Sequence, residues 1–146
     1  PRYYFDFTKM KKYHEKHQTP ETPAVSTLFA LRAGLRIMKA RGVAETFSYH
    51  ADLARHTRER LEKEGFKLAG DTKFASNTVT AVWIPEGLED KDFRGTLKGE
   101  HGVILAGGKA DWKGKVARIA HMGWVSQKDI DDAIDAMAAV KKELQK

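Results

Sequence analysis

The spacing of apolar residues predicts two long helices in the first half of the chain. In AVSTLFALRAGLRIMKARG, apolar residues recur at the three- and four-residue spacing of one helix face, and Pro23 can begin this helix while Gly42 can end it. A second amphipathic segment follows directly. A short helix is predicted within FDFTKMKKYHEKH, and the prolines of QTPETP predict an extended loop after it, because each proline removes a backbone donor.

The second half of the chain changes to the pattern of strands, in which apolar and polar residues alternate or β-branched residues cluster. The predicted strands are FKLAG, NTVTAVWIP, VILAGG and GKVARIAHMG. A weaker helix, LEDKDFRGTLKGEHG, separates the second and third of them. Consecutive strands joined by short connections favour antiparallel pairing.

The last segment predicts a helix with a capping box, in which Ser126 and Asp129 satisfy each other's backbone donors. Its acidic first turn and its terminal lysines complement the helix dipole. Together these elements predict an α+β fold with a small, mostly antiparallel sheet and helices packed on one face.

Composition narrows the classes of protein that the chain can represent. With 146 residues and a hydrophobic fraction of 41%, it has the size and the apolar content of one folded domain. It has no cysteine, which excludes disulfides, thiolate metal sites and cysteine nucleophiles within this chain. We found no leader pattern and no apolar run of roughly 20 residues, so we expect a cytoplasmic protein that does not contact membranes.

The net charge of +6 raises the alternative of a basic binding module for nucleic acid or an acidic partner. However, segments such as RHTRERLEKEGFK mix both signs at helical spacing, which is typical of a solvated helix face. We therefore expect no nucleic-acid partner, and we keep the binding module as the alternative function.

Two motifs resemble known sites but fail on spacing. His14 and His17 are three residues apart, whereas the zinc motif on a helix needs two histidines four apart, so no metal site is predicted. GGKADWKGKV lacks the serine or threonine of a phosphate loop and precedes a strand instead of a helix. It is interpreted as a hairpin connection, with a mobile active-site loop as the alternative.

Two other positions are stronger candidates for binding anions. Thr19 and Thr22 flank prolines just before a predicted helix, where hydroxyls and free backbone amides suit an anion; alternatively, Thr22 only caps the helix. Arg118 is a permanent charge inside a strand that contains no carboxylate. It could grip the two oxygens of a ligand carboxylate, or it could pair with a distant acid such as Asp71 or Glu86.

At these segments the chain resembles the C-terminal part of the class V aminotransferases, which are pyridoxal-phosphate enzymes of fold type I. The alanine/serine-glyoxylate and serine-pyruvate branch resembles it most. The similarity is an ordered series over essentially the whole chain: YYFD, QTPETPAVSTLFALRAGL, LEKEGFKL, NTVTAVWIP, VILAGG, GKVARIAHMG and the closing helix.

The resemblance implies a role for each anion-binding candidate. Arg118 matches the arginine that binds the α-carboxylate of a small amino acid or 2-oxo acid, and the loop with Thr19 and Thr22 matches one that contacts the cofactor phosphate in the neighbouring subunit of a homodimer. It implies that residues 1–23 are a lead-in helix and cofactor-phosphate loop, and that residues 24–146 are the C-terminal small domain.

The resemblance also implies what this chain lacks. The catalytic lysine that holds the cofactor lies in the family's large domain, before the segment matched here, so no catalytic residue is assigned and the chain alone is expected to be inactive. The related cysteine desulfurases need a cysteine in this region, which favours transamination.

Overall fold

The computed structural model describes residues 2–146, which form two units. The first unit ends at Val43 and the second begins at Ala44. The division expected from the resemblance, after residue 23, concerns the complete enzyme and stays a prediction.

The first unit consists of two helices and the proline-rich loop that joins them. Helix α1 (Phe7–His14) begins where the Asp6 carboxylate accepts hydrogen bonds from the backbone N–H groups of Thr8 and Lys9. Helix α2 (Val25–Arg41) ends at Gly42, whose φ of 97° favours glycine.

The start of α2 corrects the sequence interpretation. Its N-cap residue is Ala24, which makes no side-chain hydrogen bond, so the helix begins two residues after Pro23 and Thr22 does not cap it. The alternative in which Thr22 serves only as a cap is therefore wrong.

Helix α2 also leaves its predicted apolar face exposed. None of its residues is buried, and side chains such as Leu28 and Phe29 are more than half exposed, at 56% and 61%. The periodicity correctly predicted a helix, but it did not predict burial within this unit.

The second unit is an α+β domain, as predicted. Helix α3 (Val43–Lys63) begins at the boundary between the units. The other elements are strand β1 (Val79–Trp83), helix α4 (Asp90–His101), strand β2 (Ala106–Gly107), strand β3 (Val116–Ala120) and helix α5 (Gln127–Leu144). Two short 3₁₀ turns, Thr72–Phe74 and Ala110–Trp112, lie in the connections.

The three strands form one antiparallel sheet in the order β1-β3-β2, which confirms the predicted sheet. FKLAG, in contrast, does not form a full strand. Leu68 makes an isolated bridge to Val82, although backbone hydrogen bonds at Lys67 and Ala69 hold this segment against β1. VILAGG is reduced to the two residues of β2.

The two faces of the sheet differ because side chains alternate along each strand. Thr80 and Val82 of β1 and Ala117 and Ile119 of β3 are all buried. They lie on the face where the apolar side chains of α3, α4 and α5 complete the core, with Leu61, Phe93 and Ile134 fully buried. The half-buried Arg118 lies on the opposite face, with Ala81 directly across from it.

Helix α5 begins with the capping box that the sequence predicted. The Ser126 hydroxyl accepts from the Asp129 backbone N–H, and the Asp129 carboxylate accepts from the Ser126 backbone N–H. Two residues of α3 pair with acidic residues of α5: Arg60 contacts Asp135, and His56 contacts Asp131. These contacts fix the two helices beside each other.

None of the helices in the described part of the chain is both long and apolar enough to cross a membrane.

The core position of Phe93 gives a test of this fold. Phe93 is fully buried and packs near Phe66, with 6.2 Å between the ring centroids, whereas Phe74 is 78% exposed. We expect Phe93→Ala to lower the free energy of unfolding by about 3–5 kcal/mol, and Phe74→Ala to change it by about 0.5 kcal/mol or less. Denaturant unfolding measures both, and similar losses in the two variants would contradict the core assignment.

Candidate functional site

The register of the sheet places Arg118 between small neighbours, on the face opposite the helices. Arg118 lies in the central strand, directly across from Ala81 on one side and Ala106 on the other. Both neighbours are small, so the long arginine side chain has room to extend over the sheet. The strand therefore presents its guanidinium away from the core.

One hydrogen bond orients the Arg118 side chain. Its Nε donates to the Gly107 carbonyl oxygen over 3.0 Å. An arginine has five N–H groups, and those on the two terminal nitrogens form a fork that matches the two oxygens of a carboxylate. Since Nε is already engaged, this terminal fork is the part of Arg118 that remains for a ligand.

Arg118 has no carboxylate partner within 4.0 Å among residues 2–146. Asp71 lines the same pocket, but its side chain accepts from the Lys73 backbone N–H instead. Glu86 forms no ion pair with Arg118 either. The internal salt bridge that the sequence left open is therefore not formed.

Arg118 lines a pocket of about 390 Å³ on this face of the sheet. Small residues, including Ala69, Gly70 and Ala81, line part of it, and Phe74 adds an aromatic side chain. A pocket of this size, with polar and charged groups among apolar ones, suits a small organic acid.

Arg58 of α3 also lines this pocket, and the sequence analysis missed it. Its Nη1 is 3.4 Å from the Ser76 carbonyl oxygen. In the sequence, Arg58 lies within a run of mixed charges that is typical of a solvated helix face, so its position gave no local signal.

Trp112 is the second residue of the pocket that the sequence analysis missed. It lies in the connection between β2 and β3, the segment GGKADWKG, which forms the predicted hairpin connection. Its ring is 5.9 Å from that of Trp83, between centroids, and a Cβ added to Gly70 would lie 3.5 Å from it. The connection therefore folds back beside the pocket.

Gly108 allows this close return of the chain. A Cβ at this position would lie 2.0 Å from the Trp112 carbonyl oxygen, much closer than any real contact. Glycine is required here because the backbone of the returning loop occupies the space of a side chain.

In the first unit, Thr19 and Thr22 lie in the loop before α2, and both side chains are exposed. The Thr19 hydroxyl donates to the Glu21 carbonyl oxygen over 2.7 Å. Glu21 in turn pairs with Lys9 of α1, which fixes the loop against that helix. Within the described part of the chain, the Thr22 hydroxyl has no hydrogen-bond partner and is free to bind a ligand.

The structure gives no metal site among the residues it describes. No group of three or more His, Cys, Asp or Glu side chains is placed to hold an ion there.

His121, at the end of β3, is a fully buried histidine that the sequence analysis did not single out. Its Nε2 is 2.9 Å from the Thr80 hydroxyl, and its Nδ1 is 3.2 Å from the Asn77 carbonyl oxygen. Burial lowers the pKa of His121 below the ordinary value of 6.5, and the charges of Arg58 and His50 act in the same direction. The imidazole is therefore held neutral.

Several known proteins match this chain in sequence over nearly its whole length. An uncharacterised aminotransferase of Methanocaldococcus jannaschii is 37% identical over 143 residues, which cover 97% of this chain. A soluble hydrogenase small subunit of a Synechococcus species is 38% identical over 144 residues, or 99% of the chain. The serine–glyoxylate aminotransferase of Hyphomicrobium methylovorum is 32% identical over 143 residues, or 97% of the chain. No family model matches the chain.

Solved structures match the fold over nearly the same range. The ureidoglycine–glyoxylate aminotransferase of Bacillus subtilis superimposes with a TM-score of 0.90, at 26% identity, over 98% of this chain and 38% of its own. The alanine–glyoxylate aminotransferase of a Nostoc species gives 0.88, at 29% identity, over 95% of this chain and 37% of its own.

The chain is thus similar to class V aminotransferases in both sequence and fold. It spans about 37% of the length of the M. jannaschii and Synechococcus relatives and 35% of the Hyphomicrobium one.

The buried His121 predicts that the stability of this chain depends on pH. Because its pKa is lowered in the folded state, the unfolded chain binds the proton more readily, and the stabilisation present above pH 6.5 is lost as the pH falls below that value. We expect the free energy of unfolding to fall less steeply below pH 6.5 in His121→Gln than in the unmodified chain.

The matched control is His14→Gln, which changes an exposed histidine of α1 and should keep the original slope. Unfolding by denaturant at several pH values measures these slopes. Equal slopes for His121→Gln and the unmodified chain would contradict a neutral, buried His121.

Proposed function

We propose that this chain is the C-terminal part of a pyridoxal-phosphate aminotransferase that transfers an amino group between a small amino acid, such as alanine or serine, and a 2-oxo acid, such as glyoxylate or pyruvate. The single observation that carries the proposal is Arg118, whose guanidinium lines an open pocket without a carboxylate partner among the described residues. The named activities of the Hyphomicrobium, Bacillus and Nostoc relatives support the substrate class.

In this function Arg118 binds the α-carboxylate of the amino or 2-oxo acid. The Gly107 carbonyl holds Nε, so the terminal fork of the guanidinium receives the two carboxylate oxygens. Fixing the carboxylate in this way orients the rest of the small substrate, and in particular its bond from Cα to hydrogen.

When bound, pyridoxal phosphate supplies the electron sink for the negative charge that develops at the substrate Cα. The residues of this chain that fit the cofactor are the threonines before α2. The Thr22 hydroxyl lacks a partner within the described residues and can donate to a phosphate oxygen, whereas the Thr19 hydroxyl already donates to the Glu21 carbonyl. Thr22 is therefore the main phosphate contact and Thr19 the weaker one, in the site of the neighbouring subunit of a homodimer.

The catalytic lysine comes from another part of the enzyme. None of the described residues that line the Arg118 pocket is a lysine. Residues 1–23 act as the lead-in segment with the phosphate loop, and residues 24–146 act as the small domain. The chain is inactive without the large domain, and the complete enzyme works in the cytoplasm.

The alternative of a basic binding module has less support. Several basic side chains are already paired with acids, for example Arg60 with Asp135 and Lys128 with Asp132. The net charge of +6 is therefore distributed over surfaces of mixed sign, which are poor binding sites for the regular negative charge of nucleic acid.

Replacing Arg118 tests the proposed function. In the complete enzyme, we expect Arg118→Ala to raise the KM for the amino acid by about 10- to 100-fold, because a hydrogen-bonded charged pair contributes about 1.5–3 kcal/mol. Absorbance of the bound cofactor should not change. Arg118→Lys keeps the charge but loses the fork, so it should raise the KM less.

The matched control for Arg118 is Arg55→Ala, which removes an exposed arginine paired with Asp52 and Glu59 on α3. Steady-state kinetics on the three variants measures the effect. If Arg118→Ala has the same KM as Arg55→Ala, then Arg118 does not bind the substrate.

Replacing the two threonines tests the cofactor assignment. We expect Thr22→Val to weaken pyridoxal-phosphate binding by about tenfold, the effect of one lost hydrogen bond to a charged group, and Thr19→Val to weaken it less. Absorbance titration of the cofactor-free complete enzyme measures both dissociation constants. A larger effect at Thr19 than at Thr22 would contradict the assignment.

A further inference from the structure

We propose that Arg94 is a positioning residue, which acts through the main chain of Gly107 to aim the Arg118 fork at the substrate carboxylate. This inference rests on the proposed function, because Arg118 must bind the substrate for its aim to matter. It assigns a role to a side chain on the opposite face of the sheet from the pocket.

The Arg94 guanidinium is held rigidly by its hydrogen bonds. On α4, Arg94 makes a two-pronged pair with Asp90, in which Nε and Nη2 lie 2.6 and 2.5 Å from the two carboxylate oxygens. Its remaining terminal nitrogen, Nη1, donates to the Leu105 carbonyl oxygen over 3.2 Å. Three hydrogen bonds thus fix both the position and the plane of this group.

Arg94 lies directly against Gly107. A Cβ added to Gly107 would lie 2.9 Å from Nη2 of Arg94 and 3.1 Å from its Cζ. The far end of an arginine could normally move aside at little cost. Here its bonds to Asp90 and Leu105 oppose that movement, so a side chain at position 107 would displace the strand or break these bonds.

Strand β2 depends on this contact with Arg94 for its position. The strand has two residues, lies at the edge of the sheet and pairs with β3, where Ala106 is opposite Arg118 and Gly107 is opposite Ala117. Side chains alternate between the two faces, so Ala106 shares the face of Arg118, while the absent side chain of Gly107 would point toward α4. Arg94 therefore contacts β2 on the face of the sheet opposite Arg118.

The position of β2 in turn sets the direction of the Arg118 side chain. The Gly107 carbonyl is the acceptor of the Arg118 Nε–H, at 3.0 Å. If β2 shifts, this acceptor shifts with it, and the terminal fork of Arg118 changes its direction. The carboxylate of the substrate would then meet the fork at a poorer angle, which weakens binding of the substrate and of the transition state alike.

The test uses three variants of the complete enzyme: Gly107→Ala, Arg94→Ala and the double variant. We expect Gly107→Ala to raise the KM for the amino acid by about fivefold or more, with a smaller change in kcat, because uniform binding is lost. Arg94→Ala should raise the KM as well. In the double variant the space left by Arg94 accommodates the new Cβ, so its KM should not exceed that of Arg94→Ala.

Because the two residues lie in contact, a KM that stays at the Arg94→Ala value shows that the Cβ at position 107 acts through the Arg94 guanidinium. Arg55→Ala is the matched control, since it removes an arginine that pairs with an aspartate on an exposed helix face, and it should leave the KM unchanged. Thermal unfolding of each variant is measured in parallel. An unchanged KM in Gly107→Ala, or multiplied effects in the double variant, would overturn the inference.

If Gly107→Ala does not fold, Arg94→Ala decides the question, because a raised KM supports positioning and an unchanged KM overturns it. Failure of this inference is separable from failure of the proposed function. An Arg118→Ala enzyme with a raised KM, together with normal Gly107 and Arg94 variants, would overturn positioning alone. An Arg118→Ala enzyme with an unchanged KM would overturn both.

Discussion

The hydrogen bond from the Arg118 Nε to the Gly107 carbonyl is the contact on which the candidate site depends. A guanidinium inside a sheet needs some partner, because leaving it desolvated and unpaired costs several kcal/mol. A neutral carbonyl oxygen satisfies one N–H group without neutralising the charge. The remaining charge of the half-buried side chain is therefore available to an acid that enters the pocket.

This contact is possible because the core side chains of the small sheet and Arg118 lie on opposite faces. One face buries Val82, Ala117 and Ile119 in the core with the helices, and the other presents Arg118 between two alanines. The alternation of side chains assigns every second residue of β3 to each face. A shift of one residue in the register would bury the arginine and expose the core residues, so the packing that stabilises the unit also fixes the orientation of Arg118.

Most of this fold could be predicted from the sequence, because each of its longer helices and strands has a local sequence pattern of its own. The periodicity of α2, the capping box of α5 and the β-branched residues of β1 are local features. The short strand predicted at FKLAG is only an isolated bridge, and β2 is shorter than VILAGG suggested, because short edge segments depend on the strands that they pair with. Arg118 was visible as an isolated charge within a strand, whereas Arg58 and Trp112 reach the pocket through tertiary packing that no local pattern encodes.

In the proposed enzyme, recognition and chemistry lie on different parts of the protein. This chain contributes Arg118, the threonines of the phosphate loop and the sheet that holds the arginine, while the lysine that reacts with the cofactor lies elsewhere. The carboxylate is common to every amino acid and 2-oxo acid, so a fixed arginine can hold both the donor and the acceptor of the amino group. The paired strands hold Arg118 in place, and Arg94 holds β2 on the other face of the sheet. The carboxylate contact is therefore the same when the donor binds and when the acceptor binds.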